Sequence, residues 1–146
     1  MFNRVLQTSF VVSDVDRSVA FYRDILGFEL EKVVEAPAGQ ISDLLGEKGV
    51  RLKVALMWMG PHMLELMQYT PPGRPQAPKQ RDVGAAHMAF TVEDIDAASQ
   101  ALKAKGVTFV APPQDFGRTK AVYFRDPDGI TMELLEGFTG VTGIRR

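Results

Sequence analysis

The chain has no cysteine. That excludes disulfides, thiolate metal sites and a cysteine nucleophile, and it fits a cytoplasmic location. It also lacks an excess of either charge: 17 Lys and Arg against 18 Asp and Glu leave a net charge of −1. With no basic patch and no acidic tail, nucleic acid is not an expected partner. No apolar run reaches the ~18 residues of a membrane span. The start, Met1-Phe2-Asn3-Arg4-Val5-Leu6, has no secretory apolar region. What is present is ordinary for a globular protein, 45% hydrophobic and 24% charged residues over 146 positions. That length suits one sizeable core or two small modules sharing one.

The chain is organised around Asp126-Pro127-Asp128-Gly129 and the run after it, Ile130-Thr131-Met132-Glu133-Leu134-Leu135. Asp-Pro-Asp-Gly is a tight turn: proline presets one backbone angle, aspartate bonds its own backbone and glycine accepts a positive φ. Strands on both sides make a hairpin. Glu133 lies inside the second strand between Met132 and Leu134. A carboxylate among apolar residues is costly unless paired, exposed or bound to a metal, so partners are sought upstream.

Residues 5–12 read as a strand. Ser13 or Asp14 caps a helix carrying Val19, Phe21, Tyr22, Ile25 and Leu26 at helical spacing, and Gly27 ends it. Strands are expected at 28–34, 51–59 and 62–69. Residues 35–49 read as a turn-rich excursion from the sheet, a candidate mobile cover. Residues 70–82, with four prolines, read as a linker. The order then recurs: strand 84–92, an acid-opened helix ending at Gly106, and strands 107–110, 121–125 and 130–136. Val12-Ser13-Asp14-Val15-Asp16 matches Val92-Glu93-Asp94-Ile95-Asp96 at an offset of 80 residues. Both halves read β-α-β-β-β, and an internal repeat outranks single motifs as a guide to architecture. The expected fold is α+β, with two βαβββ modules forming half-barrels around a shared site. The first module is 1–70, the linker 71–83, the second module 84–138 and the tail 139–146.

The repeat pairs polar residues. Gln7 falls on His87, and Glu65, in Met63-Leu64-Glu65-Leu66-Met67, falls on Glu133. Each module thus offers one potential ligand on its first strand and one glutamate on its last. If both sheets curve to a common cavity, Gln7, Glu65, His87 and Glu133 form a mixed N/O site suited to Zn, Ni, Co, Mn or Fe(II). Taken singly, each residue has an ordinary structural explanation; their equivalence across the repeat is what makes them candidates.

The run Gln7-Thr8-Ser9-Phe10-Val11-Val12-Ser13-Asp14-Val15-Asp16-Arg17-Ser18-Val19-Ala20-Phe21-Tyr22-Arg23-Asp24-Ile25-Leu26-Gly27-Phe28 resembles the opening of the glyoxalase/bleomycin-resistance/dioxygenase group, the vicinal oxygen chelate superfamily. Residues 84–96 and 126–135 resemble its second module. The resemblance implies one such domain around a divalent metal, and a homodimer. In glyoxalase I the metal is held by His or Gln, Glu, His and Glu, a series that Gln7, Glu65, His87 and Glu133 match in order. It implies a lyase or isomerase moving a proton next to a carbonyl through a metal-stabilised enediolate, with Glu133 as base and Glu65 as its counterpart. Extradiol dioxygenases and fosfomycin-resistance enzymes need two histidine ligands. Here His62 lies three residues before Glu65, on the opposite strand face. The glutathione contacts of glyoxalase I are not matched: Val11 stands where a basic residue is expected, and Tyr69 where an asparagine is. Two alternatives carry the same fold: a metal-free protein that binds and sequesters a small molecule such as a drug, and an acyl-CoA epimerase, for which Arg51, Lys53, Arg118 and Lys120 could meet phosphates. Candidate residues for a small-molecule substrate pocket are Phe10, Met57, Trp58, Met63, Met67, Tyr69 and Tyr123, some of which are expected to be core.

Overall fold

The computed structural model describes residues 1–75 and 79–137; residue 138 and the expected tail, 139–146, lie outside the described residues. The chain divides into two compact units, Met1–Pro75 and Gln76–Arg146. The fold is α+β and each unit repeats one plan.

In the first unit the order is β1 (Gln7–Val11), α1 (Val15–Ala20) running into a π-helical turn (Phe21–Ile25), β2 (Glu29–Ala36), α2 (Ala38–Leu45), β3 (Arg51–Met59) and β4 (His62–Thr70). The sheet order is β1-β4-β3-β2, with β1 parallel to β4 and the other pairs antiparallel. Asp14 caps α1, its Oδ1 accepting from Asp16 N and Arg17 N. The next amide, Val15 N, donates to Gln68 Oε1 at 2.8 Å. Gln68 shares a face of β4 with Leu64 and Leu66, so α1 covers that face. Tyr22, 0% exposed, stands edge-on to Phe21 and Phe28 beneath it. Such aromatic pairs add about 0.5–1.5 kcal/mol each beyond area burial.

The other face of β3 and β4 is covered as well. The excursion read at 35–49 is in fact the end of β2 followed by α2, a helix packed onto the sheet through Ile41. Ile41 joins Val50, Leu52 and Val54 in a small core that Leu56, Met67 and Tyr69 extend. Leu44 and Leu45 from the same apolar piece stay exposed. Cover on both faces explains why β3 reads Ala55-Leu56-Met57-Trp58-Met59 without polar alternation.

The second unit has β5 (His87–Val92), α3 (Ile95–Ala104), β6 (Thr108–Phe109), β7 (Gln114–Asp115), β8 (Lys120–Arg125) and β9 (Thr131–Glu136). The sheet order is β5-β9-β8-β6, with β7 also on β8 and β5 parallel to β9. Asp94 caps α3 through Ala97 N, and Ile95 N donates to Glu136 Oε2 at 2.8 Å. Glu136 follows Glu133 by three residues as Gln68 follows Glu65, so the repeat extends to the helix seats. The expected strand 107–110 is two residues long, with Val110 N still donating to Tyr123 O at 2.9 Å, and Pro112 and Pro113, which lack amides, interrupt the ladder after it. Pairing with β8 resumes at Gln114. The Asp126-Pro127-Asp128-Gly129 hairpin forms as read: Asp126 Oδ1 accepts from Asp128 N and Ile130 N, and Gly129 takes φ 82°.

Candidate functional site

Register decides which side chains meet. In the first unit Ser9 lies opposite Glu65 and Gln7 opposite Met63. Gln7, Ser9 and Glu65 therefore share the face turned away from α1. Gln7 Nε2 and Ser9 Oγ both donate to Glu65 Oε2, the latter at 2.7 Å. Gln7 Nε2 also lies 3.2 Å from Ser9 Oγ. These bonds leave the second oxygen of Glu65 and the carbonyl oxygen of Gln7 uncommitted.

In the second unit Ala89 lies opposite Glu133 and His87 opposite Thr131, the same register two residues apart. His87 Nε2 stands 3.0 Å from Glu133 Oε2, with the imidazole 31% and the carboxylate 13% exposed. Tyr123 pairs with Glu133 across β8 and β9, and its ring meets His87 edge-on at 5.4 Å. Burial, and then the Glu133 charge, push the Tyr123 phenol above its ordinary range. On the other side of the imidazole, Gln80 Nε2 lies 2.8 Å from His87 Nδ1. Gln80 Oε1 is buried with no partner among the described residues. With Nδ1 accepting from the Gln80 amide, the ring proton sits on Nε2 and is given to Glu133.

The four expected ligands thus form two pairs, one in each unit. Among the described residues, no three His, Cys, Asp or Glu side chains cluster at metal-holding distance. Each unit by itself offers donors of the kind borderline divalent cations take: a carboxylate and an amide oxygen in the first, an imidazole nitrogen and a carboxylate in the second.

The candidate pocket residues separate by face. Trp58 and Met63 are cross-strand partners on the Gln7–Glu65 face, and Tyr123 lies beside His87. Met67 and Tyr69 share the Glu65 face but pack against the small core under α2. Met57 is a correction: it pairs with Leu64 on the α1 side, away from Glu65, and is 0% exposed, so it belongs to the core. Phe10 pairs with Leu66 and falls on that same face, also away from Glu65. Sequence reading missed Ser9 and Gln80. It also missed a cavity of about 170 Å³ at the proline break, lined by Val110, Pro112, Phe116, Ala121, Tyr123 and Glu133 among others. Pro112-Pro113 beside a strand was its signal. The basic residues considered for phosphates are partly committed, Lys53 to Asp16 at 2.7 Å and Lys120 to Glu136 at 3.4 Å and Asp96 at 3.5 Å. Among the described residues no helix is long and apolar enough to cross a membrane.

Comparison with known proteins bears on the family and the fold. The chain is 32% identical over 142 residues to a 2-epi-5-epi-valiolone epimerase from Actinomyces sp., covering 90% of this chain and 78% of that protein. It is 28% identical to a lactoylglutathione lyase from Haemophilus influenzae, covering 97% and 98% of the two chains. A solved glyoxalase family protein from Bacillus cereus superposes with a TM-score of 0.78 at 26% identity, covering 92% and 95%. Residues 4–134 match the sequence model of one family, and the chain belongs to it: the Glyoxalase/Bleomycin resistance protein/Dioxygenase superfamily.

Proposed function

We propose that the chain is a divalent-metal-dependent, glyoxalase I-like lyase or isomerase that moves a proton on a carbon next to a carbonyl. Gln7, Glu65, His87 and Glu133 would hold the metal. The observation that carries this reading is the shared register: in both units a ligand-capable residue sits two positions before the one facing a glutamate. When bound, the metal would polarise the substrate's carbonyl oxygens and stabilise negative charge developing there.

The chain's own residues supply the rest. Glu133 takes the proton from the carbon and returns it, with His87 beside it. The apolar cavity reaches Glu133, and about 170 Å³ suits a substituent the size of a benzene ring. Tyr123 and Phe116 line it and give it an apolar wall. Among the described residues no lysine or arginine lines this cavity, and Val11 and Tyr69 stand where glutathione contacts are expected. The substrate is accordingly a small carbonyl compound with an apolar substituent. Relatives named as a lactoylglutathione lyase and as an epimerase fit proton transfer of this kind. The epimerase, at 32% identity, favours epimerisation as the second form of the same chemistry. A homodimer belongs to the same proposal and is read by light scattering after size exclusion.

The test is elemental analysis of protein purified without chelator, alongside turnover of 2-oxoaldehyde–thiol adducts and of 2-substituted carbonyl epimers. A stoichiometric divalent ion, and a loss of about 10²- to 10⁴-fold in kcat for Glu133→Gln, are expected. No metal after incubation with Zn, Ni, Co, Mn or Fe(II) would overturn the reading in favour of a binding protein.

A further inference from the structure

The internal repeat supplies a control within one chain, because the two glutamates occupy equivalent positions yet differ in what faces them. Opposite Glu65 stands Ser9; opposite Glu133 stands Ala89. The Ser9 hydroxyl donates to Glu65 Oε2 at 2.7 Å, and the Gln7 amide donates to the same oxygen. Two donors on one oxygen use both of its lone-pair directions and hold the carboxylate in one rotamer. The methyl of Ala89 donates nothing. Among the described residues Glu133 has one side-chain hydrogen bond, to His87 Nε2 at 3.0 Å. That nitrogen cannot donate to Glu133 while its lone pair holds a cation. Ligation of His87 therefore takes away the last hydrogen bond that its own unit gives Glu133, whereas Glu65 keeps both of its bonds.

We infer that Ser9 is a positioning residue: it holds Glu65 in one rotamer as a fixed ligand, a hold that Ala89 does not give Glu133 at the equivalent position. The inference rests on the reading of the four residues as a metal site with Glu133 as the base, and adds to it the residue that fixes the counterpart Glu65. In the step Glu133 performs, the substrate C–H bond breaks and an O–H bond forms on the carboxylate. The C–H electron pair becomes the carbon–carbon double bond of an enolate, and the carbonyl oxygen takes the charge. Return of the proton to the same or the adjacent carbon restores the carbonyl, so no oxidant or second reactant is consumed. The cavity wall formed by Tyr123 and Phe116 lies at Glu133, which places an apolar substituent next to that carboxylate.

The experiment compares four proteins: the unaltered chain, Ser9→Ala, Ser9→Thr and Ala89→Ser. Divalent affinity is read by competition with a chromophoric chelator, kcat and KM on whichever 2-oxoaldehyde–thiol adduct or 2-substituted carbonyl epimer the unaltered chain turns over, and folding by thermal melting. Ser9 and Ala89 are both exposed, so all four are expected to melt alike. Ser9→Ala should weaken metal binding about 10- to 100-fold, as loss of a partner of a ligating side chain does. Ser9→Thr, which keeps the hydroxyl, should restore it. Ala89→Ser places a donor opposite Glu133 and should lower kcat about 10- to 100-fold by misplacing the base, with metal affinity retained. If the unaltered chain binds no metal, the functional reading itself fails. If the unaltered chain binds metal and turns over while Ser9→Ala matches it in affinity, or Ala89→Ser matches it in kcat, the assignment of roles to Ser9 and Glu133 is overturned and the metal site stands.

Discussion

His87 Nε2 lies 3.0 Å from Glu133 Oε2, so two expected ligands of one cation are bonded to each other. A cation at Nε2 must replace the ring proton there, and the proton must then sit on Nδ1. Nδ1 faces the Gln80 amide at 2.8 Å. A half-turn of that amide exchanges Nε2 for Oε1, the oxygen that is buried without a partner among the described residues, and Oε1 then accepts from Nδ1–H. Gln80 is thus placed to serve either tautomer of His87.

This gives a first prediction. Gln80→Leu removes the acceptor that a metal-loaded imidazole needs. Divalent affinity should fall about 10- to 100-fold. Nitrogen NMR of the metal-free variant should still show the ring proton on Nε2, because the Glu133 carboxylate at 3.0 Å continues to accept it. Unchanged affinity would make Gln80 a bystander.

A second prediction separates core from pocket among the methionines. Met57 is fully buried against Leu64, whereas Met63 lies beside Trp58 on the Gln7 and Glu65 face. Met57→Ala should cost about 2–5 kcal/mol of stability through the cavity it leaves. Met63→Ala should cost less and act on KM for substrate. Urea denaturation with substrate kinetics decides it; a Met57→Ala chain of ordinary stability would contradict the packing.

Much of the architecture was legible because it is written twice. Five matched residues after each first strand, a glycine after each helix and a glutamate in each last strand gave the modules and the paired ligands. Of the pocket candidates, Phe10 and Met57 fall on the α1 face, and for Met57 no alternation along β3 could show it, because β3 is covered on both faces. The helix Ala38–Leu45 was hidden by its composition: Pro37, two glycines and a single buried residue, Ile41, give little helical signal. Ser9 and Gln80 escaped notice for another reason. A serine in a strand and a glutamine after a proline-rich stretch have no distinctive spacing, and their role exists only once register and turn geometry bring them to a ligand.

A third prediction concerns the helix seats. Gln68 and Glu136 each accept the first amide of a helix at 2.8 Å, from Val15 and Ile95, both 0% exposed. Removing the acceptor strands a buried donor, which costs about 1–3 kcal/mol. Gln68→Leu should therefore lower stability in urea by that amount, while Gln68→Glu, which keeps an acceptor, should lose less. Equal losses in the two variants would show that packing and not the hydrogen bond seats α1.

The last prediction follows from Tyr123. Burial first, and the Glu133 charge second, raise its phenol above the ordinary value of 10.0. The folded chain keeps that proton at a pH where the unfolded chain has lost it. The unfolded state then binds fewer protons, so stability falls as pH rises from about 10.0 through the raised folded value. Lys120 acts in the same direction, its ammonium held protonated by the bond to Glu136, so the contribution of the tyrosine must be isolated by substitution. Tyr123→Phe should remove one raised phenolate step from an absorbance titration of the metal-free protein and flatten the alkaline loss of stability. Glu133→Gln should move that step to lower pH without abolishing it, because burial remains when the charge is gone. A Tyr123 step that does not move in Glu133→Gln would mean that the carboxylate does not act on the ring opposite it.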